Sequence, residues 1–116
     1  MLIGELASRS GTTIKALRYY EQEGLLHPRR APNGYREYDE SVVTVVGNIR
    51  LLLSLGLTAA DARAFVPCLG LDAPGKPVCP ASAEIIARRL SDVQEKIAAL
   101  NTVRESLTEA LAHAEG

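Results

Sequence analysis

A chain of 116 residues with 47% apolar and 23% charged residues has the composition of one ordinary globular domain, or of one small domain with an appendage. Aromatic residues at 4% argue against a large aromatic ligand pocket, and two cysteines are too few for a disulfide framework. The net charge of −1 excludes a uniformly basic surface but not a basic head. Between Arg9 and Arg36 stand six basic residues (Arg9, Lys15, Arg18, Arg29, Arg30, Arg36) against Glu21 and Glu23, a local +4 that leaves −5 for the rest. No stretch approaches the roughly 18 consecutive apolar residues of a membrane span, and MLIGELASRSG lacks a basic region followed by an apolar signal core, so a cytoplasmic chain with no membrane partner is expected.

The apolar residues Leu2, Ile3, Leu6 and Ala7 have helical spacing, and Gly11 stops this first short helix. Thr12 or Thr13 can cap the next one with its hydroxyl. Ile14, Leu17 and Leu25 or Leu26 then point inward, leaving Lys15, Arg18 and Tyr19 on the outer and flanking faces. Two short helices across a tight Gly-containing turn outline a helix-turn-helix, or else a plain helical hairpin. Next, HPRRAPNGYREY (27–38) carries Asn33-Gly34, the signal of a type I′ hairpin turn, whose two central residues both need positive φ. Arg29 and Arg30 precede the turn; Tyr35, Arg36 and Tyr38 follow it, with period-two alternation placing Arg36 and Tyr38 on one face. Such a ribbon suits gripping phosphates beside a groove-reading helix. The alternative is a solvated hairpin with its tyrosines on the core, to which Tyr35 partly conforms.

Asp39 or Ser41 is expected to cap a third helix whose apolar face is Val42, Val45, Val46, Ile49, Leu52 and Leu53, closed by Gly56. Thr58 and Asp61 form a capping box for a short helix running through Phe65 and Val66 to Pro67. CLGLDAPGKPVCP (68–80) reads as a loop, having three prolines and two glycines. From Ala81 to about His113 the pattern predicts one long helix. Ile86, Leu90, Val93, Ile97, Leu100, Arg104, Leu107 and Leu111 are spaced 4-3-4-3-4-3-4, a coiled-coil seam with one polar member. About 32 residues make a helix of roughly 48 Å, too long for a head this small to cover. A second copy of the chain is the expected partner.

Ile3-Gly4-Glu5-Leu6-Ala7, Leu17-Arg18-Tyr19-Tyr20-Glu21 with Gly24-Leu25-Leu26, Asn33-Gly34-Tyr35-Arg36 with Tyr38, and Leu55-Gly56-Leu57 together resemble the MerR family of bacterial transcriptional regulators, in the family's order. The resemblance implies a mainly α fold: a winged helix-turn-helix head with a small β-hairpin wing (1–67), a connecting loop (68–80), and a dimerisation helix (81–116) forming an antiparallel coiled coil. It implies a homodimer on an inverted repeat of double-stranded DNA within an overlong promoter spacer, activating RNA polymerase there by bending and untwisting the DNA. Thr13, Lys15, Arg18 and Tyr19 would lie on the recognition helix, with Lys15 the base-reading residue and Arg18, Tyr19 and Tyr20 on the backbone or holding the helix. Arg29, Tyr35, Arg36 and Tyr38 would form the wing. The seam residues Ile86, Leu90, Val93, Ile97, Leu100, Leu107 and Leu111 would make the dimer.

The effector is less legible. Metal-sensing members of the family carry a cysteine at the start of the dimerisation helix, where Cys79 stands, and a cysteine pair after it, which is missing. A soft metal ion would need Cys68, Cys79 and His113 brought together across the dimer. The chain is expected to be a short member without the large C-terminal effector domain of the members that bind organic compounds. Reversible disulfide formation between Cys68 and Cys79, eleven residues apart, is the other cysteine reading. Helix-dipole stabilisation of a Cys79 thiolate would favour it. Structural cysteines are the third, and no cofactor is expected outright. An enzyme fails on inventory: His27 and His113 lie far apart in sequence, no nucleophile motif adjoins either, and there is no Gly-rich phosphate loop. An effector-independent repressor or an architectural DNA-binding protein shares every DNA-contact residue and stays the alternative.

Overall fold

The structure is a computed structural model describing residues 1–30, 32–34, 36–68 and 83–116, with Arg29, Arg30 and Arg36 described for the backbone alone. It is mainly helical and divides into two compact units, Met1–Ala83 and Glu84–Gly116.

In the first unit, α1 (Ile3–Ser10) ends at Gly11, whose φ of 66° lets the Thr12 amide turn back and donate to the Ala7 carbonyl at 3.0 Å. A side chain at that φ would be strained, so the turn requires glycine. Helix α2 (Ile14–Gln22) starts on Thr13, whose Oγ1 accepts from the Ala16 amide at 3.1 Å, deciding between the two threonines. It closes as α1 does: Gly24 has φ 76° and the Leu25 amide donates to the Tyr20 carbonyl at 2.9 Å.

The ribbon departs from expectation. Strands β1 (Arg29–Arg30) and β2 (Arg36–Glu37) pair antiparallel with Arg29 opposite Glu37 and Arg30 opposite Arg36. The connection is therefore residues 31–35. Gly34 has φ 85°, but Asn33 does not have positive φ, so the type I′ turn is absent. Pro32 supplies the reason: a two-residue turn at Asn33-Gly34 would set Pro32 opposite Tyr35, and proline has no N–H to complete that pair.

Helix α3 (Ser41–Ser54) is flanked by Glu40 and has no side-chain cap, in place of the expected Asp39 or Ser41 cap. Backbone turns begin it instead, Val42 N–H to Asp39 O at 3.0 Å and Val43 N–H to Glu40 O at 3.1 Å. The capping box of α4 (Ala59–Arg63) is present in full, with Thr58 Oγ1 accepting from the Asp61 amide and Asp61 Oδ2 from the Thr58 amide. Yet α4 stops at Arg63, not at Val66, and Pro67 sits inside a 3₁₀ turn, Val66–Cys68. A single 3₁₀ turn tolerates a proline that a continuing α-helix would not.

Helix α1 packs on α2 and α3, and α3 packs on α4. Their shared core is Leu6, Leu17, Leu25, Val46, Ile49, Leu52 and Phe65, all fully buried, with Asn48 as its buried polar member. Full burial of one such side chain contributes roughly 1.5–3 kcal/mol. These seven, with the other buried apolar residues of the unit (Ala7, Tyr20, Leu26, Tyr38, Leu57, Ala62 and Cys68), make a modest core, and the helix caps matter in proportion.

The second unit is one helix, α5 (Ala83–Glu115), of 33 residues. None of its residues is buried. Ile86 and Val93 are half-buried; Leu90, Ile97, Leu100, Val103, Leu107 and Leu111 are exposed, Leu100 at 67% and Leu107 at 65%. Among the described residues no helix is long and apolar enough to cross a membrane.

Candidate nucleic-acid interface

Helix α2 is short enough for each side chain to be assigned a side. Leu17 and Tyr20 are buried, while Lys15, Arg18, Tyr19 and Gln22 are exposed. At 100° per residue these four fall on one stripe, i, i+3, i+4 and i+7, opposite the buried pair. Among the described residues Lys15 and Arg18 make no ion pair. A solvated stripe of two cations, a phenol and an amide offers hydrogen-bond donors to phosphates and base edges. Gln22 belongs to the stripe and was missed by sequence reasoning; its i+7 spacing from Lys15 is the signal that finds it. Thr13 stands at the N-cap of α2, off the stripe, with its hydroxyl engaged by the Ala16 amide.

Two residues stand elsewhere than expected. Ile14, read as core, is 39% exposed, because it lies at the flank of the buried side and meets the first helix where Gly4 has no side chain: a Cβ there would stand 4.0 Å from Ile14 Cδ1. Tyr20 is only 7% exposed, so of its two expected roles the structural one fits. Its ring lies 6.2 Å from that of Tyr19, which is 45% exposed, so the adjacent tyrosines divide between core and surface.

Two arginines fasten the helices from outside. Arg50 on α3 donates through Nη1 to the Ser10 carbonyl at 2.8 Å, at the end of α1. Arg63 on α4 donates through Nη1 to the Glu23 carbonyl at 2.9 Å and to Glu23 Oε2 at 3.1 Å, at the end of α2. Each puts positive charge on carbonyls that a helix terminus leaves unpaired. Each spans a sequence separation of 40, so no local pattern announces them. Arg9, counted in the basic head, pairs with Glu40 at 3.2 Å, and being exposed the pair adds little stability.

The ribbon is attached at Tyr38. This residue was expected beside Arg36 on the outer face, gripping phosphate; it is 3% exposed and belongs to the core. Lying beyond the end of β2, it is not held to the ladder's alternation. Its amide donates to the Met1 carbonyl at 2.8 Å, its carbonyl accepts from the Met1 ammonium at 2.8 Å, and its hydroxyl donates to Glu21 Oε2 at 3.3 Å. The backbones of Arg29, Arg30 and Arg36 lie in the ribbon; Tyr35 is outside the described residues.

Cys68 is 6% exposed and disulfide-bonded, and Cys79 lies outside the described residues. Among the described residues no group of three or more His, Cys, Asp or Glu side chains could hold a metal ion. A sulfur in a disulfide offers no thiolate, so the described donors do not fit a resident soft metal. His113 lies 3.7 Å from Glu109 on its own exposed helix face.

Comparison with known proteins bears on the family and the fold. Residues 1–67 match the family model described as MerR HTH family regulatory protein, and residues 43–110 match the model MerR, DNA binding. The chain is 34% identical over 115 residues to the HTH-type transcriptional regulator HmrR of Rhizobium leguminosarum bv. viciae, covering 98% of this chain and 85% of that protein. It is similar in structure to the transcription regulator PbrR691 of Ralstonia metallidurans CH34 in complex with lead(II), with a TM-score of 0.72 at 26% identity over 94% of this chain and 84% of that one. The fold is shared too with HiNmlR, a MerR family regulator lacking the sensor domain and bound to promoter DNA, with a TM-score of 0.60 at 21% identity over 90% of this chain and 78% of that one.

The division between the two tyrosines can be measured by denaturation at fixed protein concentration. Tyr20→Ala is expected to lose about 3 kcal/mol of stability, whereas Tyr19→Ala stays within about 0.5 kcal/mol of the parent.

Proposed function

Because this chain belongs to the MerR family of DNA-binding transcription regulators, we propose that it works as a homodimer on an inverted repeat inside a promoter spacer, activating RNA polymerase by bending and untwisting that DNA. The observation that carries this reading is the solvated face of α2, where Lys15, Arg18, Tyr19 and Gln22 share one stripe while Leu17 and Tyr20 anchor the other side. Lys15, in the first turn of α2, reads base edges; Arg18 and Tyr19 hold backbone phosphates, as do Arg29 and Arg36 on the ribbon. Tyr20 and Tyr38 support these groups from the core. The head (1–67), the connection (68–80) and the long helix (81–116) are the working parts, and the protein acts in the cytoplasm.

The apolar seam of α5 supports the dimer. Two parallel copies in register would set Arg104 against Arg104 of the partner subunit, like charges in the middle of an apolar seam. Antiparallel copies centred between Ile97 and Leu100 face each other without that conflict, since the 4-3-4-3-4-3-4 spacing reads the same in both directions. Ile97 then meets Leu100, Leu90 meets Leu107 and Ile86 meets Leu111, and Arg104 faces Val93 of the partner subunit beside its Asp92. This arrangement holds the two α2 helices on the two halves of one repeat.

For the signal, the bonded state of Cys68 favours thiol redox chemistry over a resident metal. Cys79 is the proposed partner. Two thiols and one hydrogen peroxide give one disulfide and two waters, and the reverse step takes two electrons from a cellular dithiol. A soft metal ion would bind only after that reduction.

Three measurements test these assignments. In operator gel shifts at two salt concentrations, Lys15→Ala is expected to change preference among base variants, by about 1–3 kcal/mol at the position it reads. Arg36→Ala should weaken all sites alike and with a shallower salt dependence; the reverse pattern refutes the roles. Leu100→Asp should sediment as a monomer at concentrations where the parent is a dimer, and should lose the operator with it. The third measurement is thiol titration under reductant and after peroxide, beside transcription from a long-spacer promoter. Cys68→Ser and Cys79→Ser should each abolish peroxide-dependent induction; unchanged induction in both ends the redox reading, induction by a soft metal in the reduced protein alone replaces it, and a promoter that is only blocked favours a repressor.

A further inference from the structure

A two-stranded ribbon of two residues per strand cannot hold its own orientation in water, since even longer isolated hairpins are marginal. Its direction relative to α2 is set at its root. The root is Tyr38, the residue after β2. Two backbone hydrogen bonds tie it to Met1, and its buried side chain ends with the hydroxyl 3.3 Å from Glu21 Oε2 on α2. Glu21 lies on the half-buried flank of α2, one residue from buried Tyr20 and away from the solvated stripe. The phenol lies in the core and the carboxylate on its border, so the bond joins the root of the ribbon to α2 partly sheltered from water.

From this we infer that Tyr38 and Glu21 are positioning residues for DNA binding. Their hydrogen bond sets the ribbon at a fixed angle to the reading helix, so that the phosphate-holding arginines meet the backbone when α2 is seated in the groove. Neither residue touches DNA. The pair rests on the proposed DNA-binding reading and adds to it a mechanical link between reading helix and wing. Phosphate contacts made by the ribbon then depend on a side chain buried at its base.

The test is Tyr38→Phe, which keeps the ring in the core and removes the hydroxyl. Operator affinity is expected to fall about fivefold, the scale of one typical intramolecular hydrogen bond, and the slope of log affinity against log salt to become shallower by about one, the signature of a lost phosphate contact. In a Glu21→Ala background the same substitution should cost nothing further. Parental affinity, a weakened complex with the parental salt slope, or an additional fivefold loss in the Glu21→Ala background each overturns the inference. Hydrogen exchange of the DNA-free protein reads the link independently: the amides of β1 and β2 should exchange faster in Tyr38→Phe, and parental rates overturn it. If the parent protein binds no operator, the regulator reading fails, while the exchange experiment still decides the link.

Discussion

The head depends on one constraint: a helix of nine residues, α2, must bury Leu17 and Tyr20 on one side and leave the other side solvated and, among the described residues, without ion pairs. Nine residues make about two and a half turns, too short for an isolated helix to persist. Its stability comes from Leu17 and Tyr20 in the core, from Thr13 at its start, and from Gly24 and Arg63 where it ends. With those contacts in place the stripe of Lys15, Arg18, Tyr19 and Gln22 has no structural task. Residues without a structural task are available for a polyanion.

The remaining elements serve the same helix at a distance. Helix α3 crosses the core and sends Arg50 to the end of α1; α4 does the equivalent with Arg63 at the end of α2. These two donors hold the ends of both helices of the helix-turn-helix, so the angle between α1 and α2 is determined from outside the motif as much as from the turn at Gly11. A Cβ on Gly11 would come within 3.3 Å of Arg50 Nη1 and would be strained at φ 66°, so backbone and clasp constrain that residue together. The ribbon is attached in a different way, through Tyr38, whose backbone bonds Met1 and whose hydroxyl bonds Glu21 on α2.

The long helix poses the opposite problem. The head encloses a core of its own, whereas α5 has none, since none of its 33 residues is buried. An apolar stripe in water along roughly 50 Å of helix is a strong drive to associate. Arg104 interrupts that stripe at a position where antiparallel pairing tolerates it better than parallel pairing does. One polar seam residue would thereby trade some stability for a defined arrangement in the proposed dimer.

Local chemistry made much of this legible in the chain itself. The helices, the glycine stops and the capping box at Thr58 and Asp61 all depend on residues within a few positions of one another, and the structure reproduces those elements. Where sequence reasoning went astray, the deciding contact was remote or a neighbour blocked the local rule. Pro32 prevented the two-residue turn that Asn33-Gly34 advertises. Backbone turns at Asp39 and Glu40 replaced a side-chain cap, and α4 stopped early at Arg63. Tyr38 was assigned to the surface by alternation, yet a residue past the end of a ladder follows the core and not the pleat. Arg50 and Arg63 bind carbonyls 40 positions away, and Glu21 meets Tyr38 across 17, so only the tertiary structure could decide which tyrosines, arginines and carboxylates are engaged within the head and which stay solvated. The sequence by itself determined that there is a short cationic helix and a long apolar-striped one; packing determined which side of the short helix is left in solvent.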